Sequence, residues 1–211
     1  MTPSQNGPWR ITRIHSLLKG SEDFIQYLDQ CIDGIELNAD DRSQLAVGCF
    51  EVALEHQKAI VLLVSQSFYG SAFALVRLIF EAHIRGLWLL QCASERDLRR
   101  FTKGKLDKSF DSLIKEIEKL KRYNSGVLSR VKTRSWSAMN SYTYSGYLQV
   151  LRRNSAETIE PNYGEDEIVE VINFANAVGL LSAVEIALLS GSAELANSMV
   201  DKAKAFWQTD P

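Results

Sequence analysis

No proline interrupts the chain between Pro8 and Pro161. Proline breaks a helix interior because it lacks a backbone donor and clashes with the preceding turn. A proline-free run of this length, with apolar residues recurring at helical spacing, restricts the chain to an all-α fold. The pattern predicts helices over about 9–33, 41–67, 70–93, 95–122, 129–153, 164–190 and 193–208, the fourth breaking near Gly104. Start signals support several of them. Asn38-Ala39-Asp40-Asp41 precedes the second helix and Ser94-Glu95 opens the fourth, both with preferred N-cap residues. Glu165-Asp166-Glu167 places acid in the first turn of the sixth, where it complements the helix dipole. Tyr69-Gly70 and Gly191-Ser192 are short breaks, as between antiparallel neighbours in a bundle. The most loop-like stretch, Asn154–Gly164, leads into a helix too apolar to stand alone. The expectation is one helical-bundle domain over residues 1–211, of about five to seven helices.

Several function classes find no support. Net charge is −2 and the sequence pI is about 6.0, so nothing biases the whole chain toward nucleic acid or a membrane surface. The N-terminus lacks the apolar core of a signal peptide. Residues 71–92 and 171–189 are long and apolar, but the ionisable and amide side chains they carry make core helices the expectation, with no membrane span. Cys31, Cys49 and Cys92 are an odd, scattered set without a CxxC, which fits free thiols in a reducing cytoplasm. His15 and His56 are isolated, no HExxH or Cys/His cluster calls for a metal, and no Walker loop, GxSxG or GxGxxG calls for a cofactor.

Charge is unevenly spread. Residues 96–134 hold 13 Lys or Arg against 5 Asp or Glu, whereas 155–201 hold no base and 9 acids. The basic segment reads either as a phosphate-attracting patch or as a solvated helix whose acids and bases pair at i,i+4.

The helix at 71–92, SAFALVRLIFEAHIRGLWLLQC, is apolar nearly all the way round yet carries Arg77, Glu81, His83 and Arg85. At about 100° per residue, Arg77, Glu81 and Arg85 form one stripe. Charges on a core helix must pair or line a cavity, because an unpaired buried charge is very unfavourable. Glu81 can bridge both arginines as a structural triad, or it can position them as a planar, bidentate clamp for phosphate. A second polar face lies in NSYTYSGY at 140–147, where Asn140, Thr143, Tyr144 and Tyr147 share one side of a helix. These groups either satisfy the arginine stripe or contact a ligand.

Arg77 followed by five residues and His83, within an all-α bundle, resembles the motif of the HEPN superfamily (higher eukaryotes and prokaryotes nucleotide-binding domains), many members of which are metal-independent ribonucleases. The resemblance implies that Arg77 stabilises charge on phosphate and His83 acts as general acid or base. The chain departs from the catalytic pattern at Leu78, where active members carry a polar residue. Ser71, Ala74, Leu75, Arg77 and Glu81, the run EAHIRGLWL, and the later NSYTYSG are similar to an uncharacterised HEPN-like family of bacterial helical proteins, over roughly 70–150. Members often have His at the position of Tyr144. The resemblance implies a pocket between two helices and, since HEPN-like proteins commonly pair, a homodimer, but no settled activity. The arginine stripe and the basic segment agree in sign and point to RNA or nucleotide phosphate as ligand. The alternative is a non-catalytic interaction module whose Arg/Glu stripe is structural.

Overall fold

The computed structural model describes residues 8–37, 40–154 and 158–208, with the side chains of 8–12 excepted. Asn38, the N-terminal segment before Pro8 and the side chain of Trp9 lie outside the described residues. The described chain is all-helical: α1 (Pro8–Ile32), α2 (Asp41–Ser65), α3 (Tyr69–Gln91), α4 (Glu95–Thr102), α5 (Phe110–Ile117), α6 (Val127–Thr143), α7 (Tyr147–Leu151), α8 (Glu165–Leu189) and α9 (Ala193–Gln208).

Among the described residues nine helices stand where five to seven were expected, because two predicted helices are each split. The first split falls after Thr102, where Gly104 takes a left-handed φ of 64° and its N–H turns back to the Phe101 carbonyl at 2.9 Å. α5 then starts afresh from Ser109, whose hydroxyl caps the Ser112 amide. The second split falls at Tyr144–Gly146. Ser145 has φ 53°, a conformation a non-glycine residue adopts only under constraint. The Ser141 hydroxyl accepts from the Leu148 amide at 2.9 Å and ties the two pieces together.

The expected caps are present. The Asp40 carboxylate accepts from the Ser43 amide at 2.8 Å, and Ser94 and Asp97 form a reciprocal capping box. At α8 the Glu167 carboxylate accepts from the Gly164 amide at 2.9 Å.

α2 and α3 form a hairpin, and α8 packs against both, flanked by α1 and α9. α5 and α6 cover the remaining side of α3. The core has two parts, one around Phe50, Trp88, Ile117 and Met199, the other around Ile60, Phe73, Ile79 and Ile172. α2, α3 and α8 run through both parts.

Two glycines let α2 approach its neighbours closely. A Cβ on Gly86 of α3 would lie 2.5 Å from the Phe50 ring, and one on Gly179 of α8 would lie 1.9 Å from Gln57 Oε1. Gln57 continues a fully buried polar relay: its Nε2 donates to Asn176 Oδ1 at 3.0 Å, Asn176 Nδ2 donates to Ser21 Oγ at 2.8 Å, and Ser21 donates to the Leu17 carbonyl. The relay links α2, α8 and α1, and hydrogen bonding offsets the desolvation of its polar groups except Gln57 Oε1, which is buried without a partner among the described residues. α8 is long and apolar enough to cross a membrane, but 72% of its most apolar window is buried inside this bundle.

Candidate functional site

The stripe on α3 is built as its spacing requires. Arg77 Nε donates to Glu81 Oε1 at 2.7 Å, and Arg85 Nη2 lies 3.8 Å from Glu81 Oε2. The side chains of Arg77 and Glu81 are 16% and 18% exposed, whereas that of Arg85 is 41% exposed. Glu81 thus fixes Arg77 firmly and Arg85 loosely. One carboxylate between two guanidinium groups leaves the trio one net positive charge.

α6 supplies the opposite wall. The Arg77 guanidinium carbon lies 4.7 Å from the centroid of the Trp136 ring and 4.9 Å from that of Tyr144. Cation–π contacts of this kind stabilise by about 0.5–2 kcal/mol each. Trp136 is itself held, stacked on Phe110 at 4.7 Å with Lys132 Nζ 5.2 Å from its centroid. Thr143 Oγ1 donates to the Ala74 carbonyl at 3.1 Å and docks the end of α6 on α3. Among the described residues, no group accepts a hydrogen bond from Arg77 Nη1 or Nη2. Asn140 Oδ1 and Arg85 Nε are buried and without partners there.

Arg77, Glu81, Thr143 and Tyr144 are therefore brought together. Tyr144, 69% exposed, caps the end of α6 and stands at the rim. Tyr147 does not share a helical face with Asn140. The turn at Ser145 starts a new helix there, and Tyr147 projects into solvent, 75% exposed. The site residue that sequence reasoning missed is Trp136. Its signal was available: Trp136, Asn140 and Tyr144 recur every fourth residue.

His83 faces the other way, into the core. It is 3% exposed, packs on Phe50 and meets Ser182 Oγ of α8 at 3.0 Å. The Ser182 hydroxyl donates to the Val178 carbonyl, so its oxygen accepts from Nδ1 of a neutral imidazole. Burial lowers the His83 pKa to about 4. Nothing places its ring beside Arg77.

The charge of the basic segment is partly neutralised within the fold. Arg100 pairs with Asp107, Lys108 with Glu116, Lys132 with Asp111, and Arg122 with the buried Glu185. Desolvation raises the Glu185 pKa, against the opposing pull of Arg122 and the Tyr123 hydroxyl. Among the described residues no group of three or more His, Cys, Asp or Glu comes together to hold a metal.

A separate pocket of about 350 Å³ opens on the other side of α6, between α3, α6, α7 and α8. Phe73, Val76, Met139, Val171 and Phe174 form its apolar lining, and Arg134, Arg152, Glu167 and Glu170 its charged groups. Arg152 caps α7 and also forms an ion pair with Glu167 at the start of α8.

The fold is a helical bundle in which an Arg/Glu stripe on α3 meets Trp136 and Tyr144 of α6. The chain belongs to the family of unknown function DUF6988, whose model matches residues 50–210. That span takes in α3, α6 and α8, and so the whole of the candidate site. No curated protein and no solved structure matches the chain.

Proposed function

We propose that this protein is a single-domain, HEPN-like bundle that binds RNA or nucleotide phosphate at the α3–α6 cleft. One observation carries the reading: Arg77 is fixed by Glu81 between two aromatic residues while its terminal nitrogens stay without partners among the described residues. A guanidinium in that state presents two parallel donors to a phosphate. Arg85, held more loosely by Glu81, adds a second cation, and Asn140 and Thr143 lie on α6. Tyr144 and Tyr147 offer exposed rings on which bases stack. The uncompensated bases of α4–α6 would draw a polyanion toward this face.

The reading is of binding first. A defence- or toxin-type ribonuclease would need a proton-transfer group at the cleft, and His83 is sealed behind α3. A homodimer fits the exposed apolar side chains Val150 and Leu151 of α7. The free thiols of all three cysteines suit a reducing cytoplasm.

Short single-stranded RNA titrated into purified protein tests the reading, with cleavage followed in the same tubes. Wild type is expected to bind, and Arg77→Ala to bind about tenfold more weakly or worse. His83→Ala, if folded, is expected to leave RNA binding intact. Absence of binding by wild type would end the proposal, and equal binding by Arg77→Ala would end the residue assignment.

The second reading, a non-catalytic homodimeric interaction module, is favoured by Glu81 bridging both arginines, since such a triad serves helix register as well as ligand binding. On that reading Arg77→Ala lowers stability and RNA does not bind. Light scattering of the two proteins then decides whether the dimer is lost.

A further inference from the structure

The pocket behind α6 is not part of the cleft that holds Arg77. Its volume of about 350 Å³ lies in the range typical of small-molecule sites, roughly 300–1,000 Å³. Phe73, Val76, Met139 and Val171 are buried side chains of the core, so its floor is preformed and apolar.

The charges around that floor are balanced in number but not in pairing. Arg152 is bound to Glu167, and the two neutralise each other. Arg134 on α6 and Glu170 on α8 line the same pocket, are exposed, and form no ion pair among the described residues. An anionic ligand alone would meet Arg134 but would also face Glu170 and the Glu167 carboxylate. A nucleotide, with several negative charges, is the worse for both carboxylates. A ligand bearing one charge of each sign meets both free groups favourably.

We propose that this pocket binds a small zwitterion with an apolar body, of the size and chemistry of a free hydrophobic amino acid. The body lies on Phe73, Met139 and Phe174, the carboxylate turns to Arg134 and the ammonium to Glu170. The site is independent of the RNA reading, since it lies across α6 from Arg77.

Titration of the full-length protein with L-phenylalanine, 3-phenylpropionate and 2-phenylethylamine, followed by amide chemical shifts, tests it. L-Phenylalanine is expected to saturate, and to bind about tenfold or more tightly than either singly charged analogue. Arg134→Ala is expected to weaken L-phenylalanine and 3-phenylpropionate but not the amine, and Glu170→Ala to weaken L-phenylalanine and the amine but not the acid. Both positions are exposed, so neither change threatens the fold. Ala138→Trp fills the pocket and is expected to abolish binding of all three. The proposal is overturned if L-phenylalanine fails to saturate by about 10 mM, if the analogues bind equally well, or if folded Ala138→Trp and both charge variants bind as wild type does. RNA binding measured on Glu170→Ala and Ala138→Trp separates the two sites. Loss of amino-acid binding with RNA binding retained is the expected pattern.

Discussion

Arg77 and His83 sit six residues apart on one helix and have opposite fates. Arg77 meets α6, where Trp136 and Tyr144 lie within cation–π distance of its guanidinium carbon, while Glu81 takes its Nε. Planarity matters there, so Arg77→Lys should behave nearly as badly as Arg77→Ala in RNA titrations despite keeping its charge. Tyr144→Ala should weaken RNA binding by about 1–3 kcal/mol if one base stacks on the exposed ring. His83 lies about 120° round the helix, and that rotation puts it against α8. Its folded pKa of about 4 lies below the unfolded value of 6.5. Between those values the unfolded chain takes up a proton that the folded chain refuses. The stability concerned is present above pH 6.5 and is lost as pH falls toward 4. Its full size is about 3 kcal/mol. Urea unfolding at pH 7.5 and pH 5 should show the loss in wild type and a shallower one in His83→Gln. An equal slope in both would remove His83 from the account. The stripe on α3 was legible from its spacing. The direction of His83 was legible only as an angle, because Ser182 comes from 99 residues away.

At the scale of elements, glycine decides how near α2 can come. Gly48, Gly86 and Gly179 all lie inside helices, yet they are not equivalent. A Cβ on Gly48 meets nothing within 4 Å, so Gly48→Ala should stabilise by about 0.5–1 kcal/mol through its helix propensity. Gly86→Ala drives a methyl into the Phe50 ring and should destabilise by about 1–3 kcal/mol. Gly179→Ala strikes Gln57 and breaks the buried relay as well, so it should be the most damaging of the three. Thermal melts of the three variants test the order, and a destabilised Gly48→Ala would contradict it. The sequence predicts most helices because proline is absent and caps are strong. It does not reveal the division between α6 and α7. Ser145 adopts its left-handed conformation because Ser141, Gly146 and Leu148 bond across the corner, and the turn signal Ser145-Gly146 is masked by the helical periodicity running through it. Tyr147 was misplaced on the Asn140 face for that reason.

For the whole molecule, the charge asymmetry of the sequence survives folding but is blunted. Asp107, Asp111, Glu116 and Glu185 each engage a base of the α4–α6 region. RNA binding should therefore weaken with salt, with a slope set by only a few phosphate contacts. A slope of nearly zero would contradict a phosphate-led interface. The small-ligand pocket was invisible to local pattern reading, because its walls combine residues 73–76, 134–152 and 167–174 and exist only once α8 has packed. The two notches that seat α2 have one more implication. Phe50 and Gln57 occupy gaps in different partners, so a one-turn slide of α2 would drive each against a neighbouring Cβ. The α2–α3–α8 unit is in effect keyed on two sides. The α6–α7 region is tied to it differently, by Thr143 on the Ala74 carbonyl, Gln149 on the Gly70 carbonyl and Arg152 on Glu167. Both the Arg77 site and the pocket behind it have α6 as a wall, so one displacement of α6 would alter both.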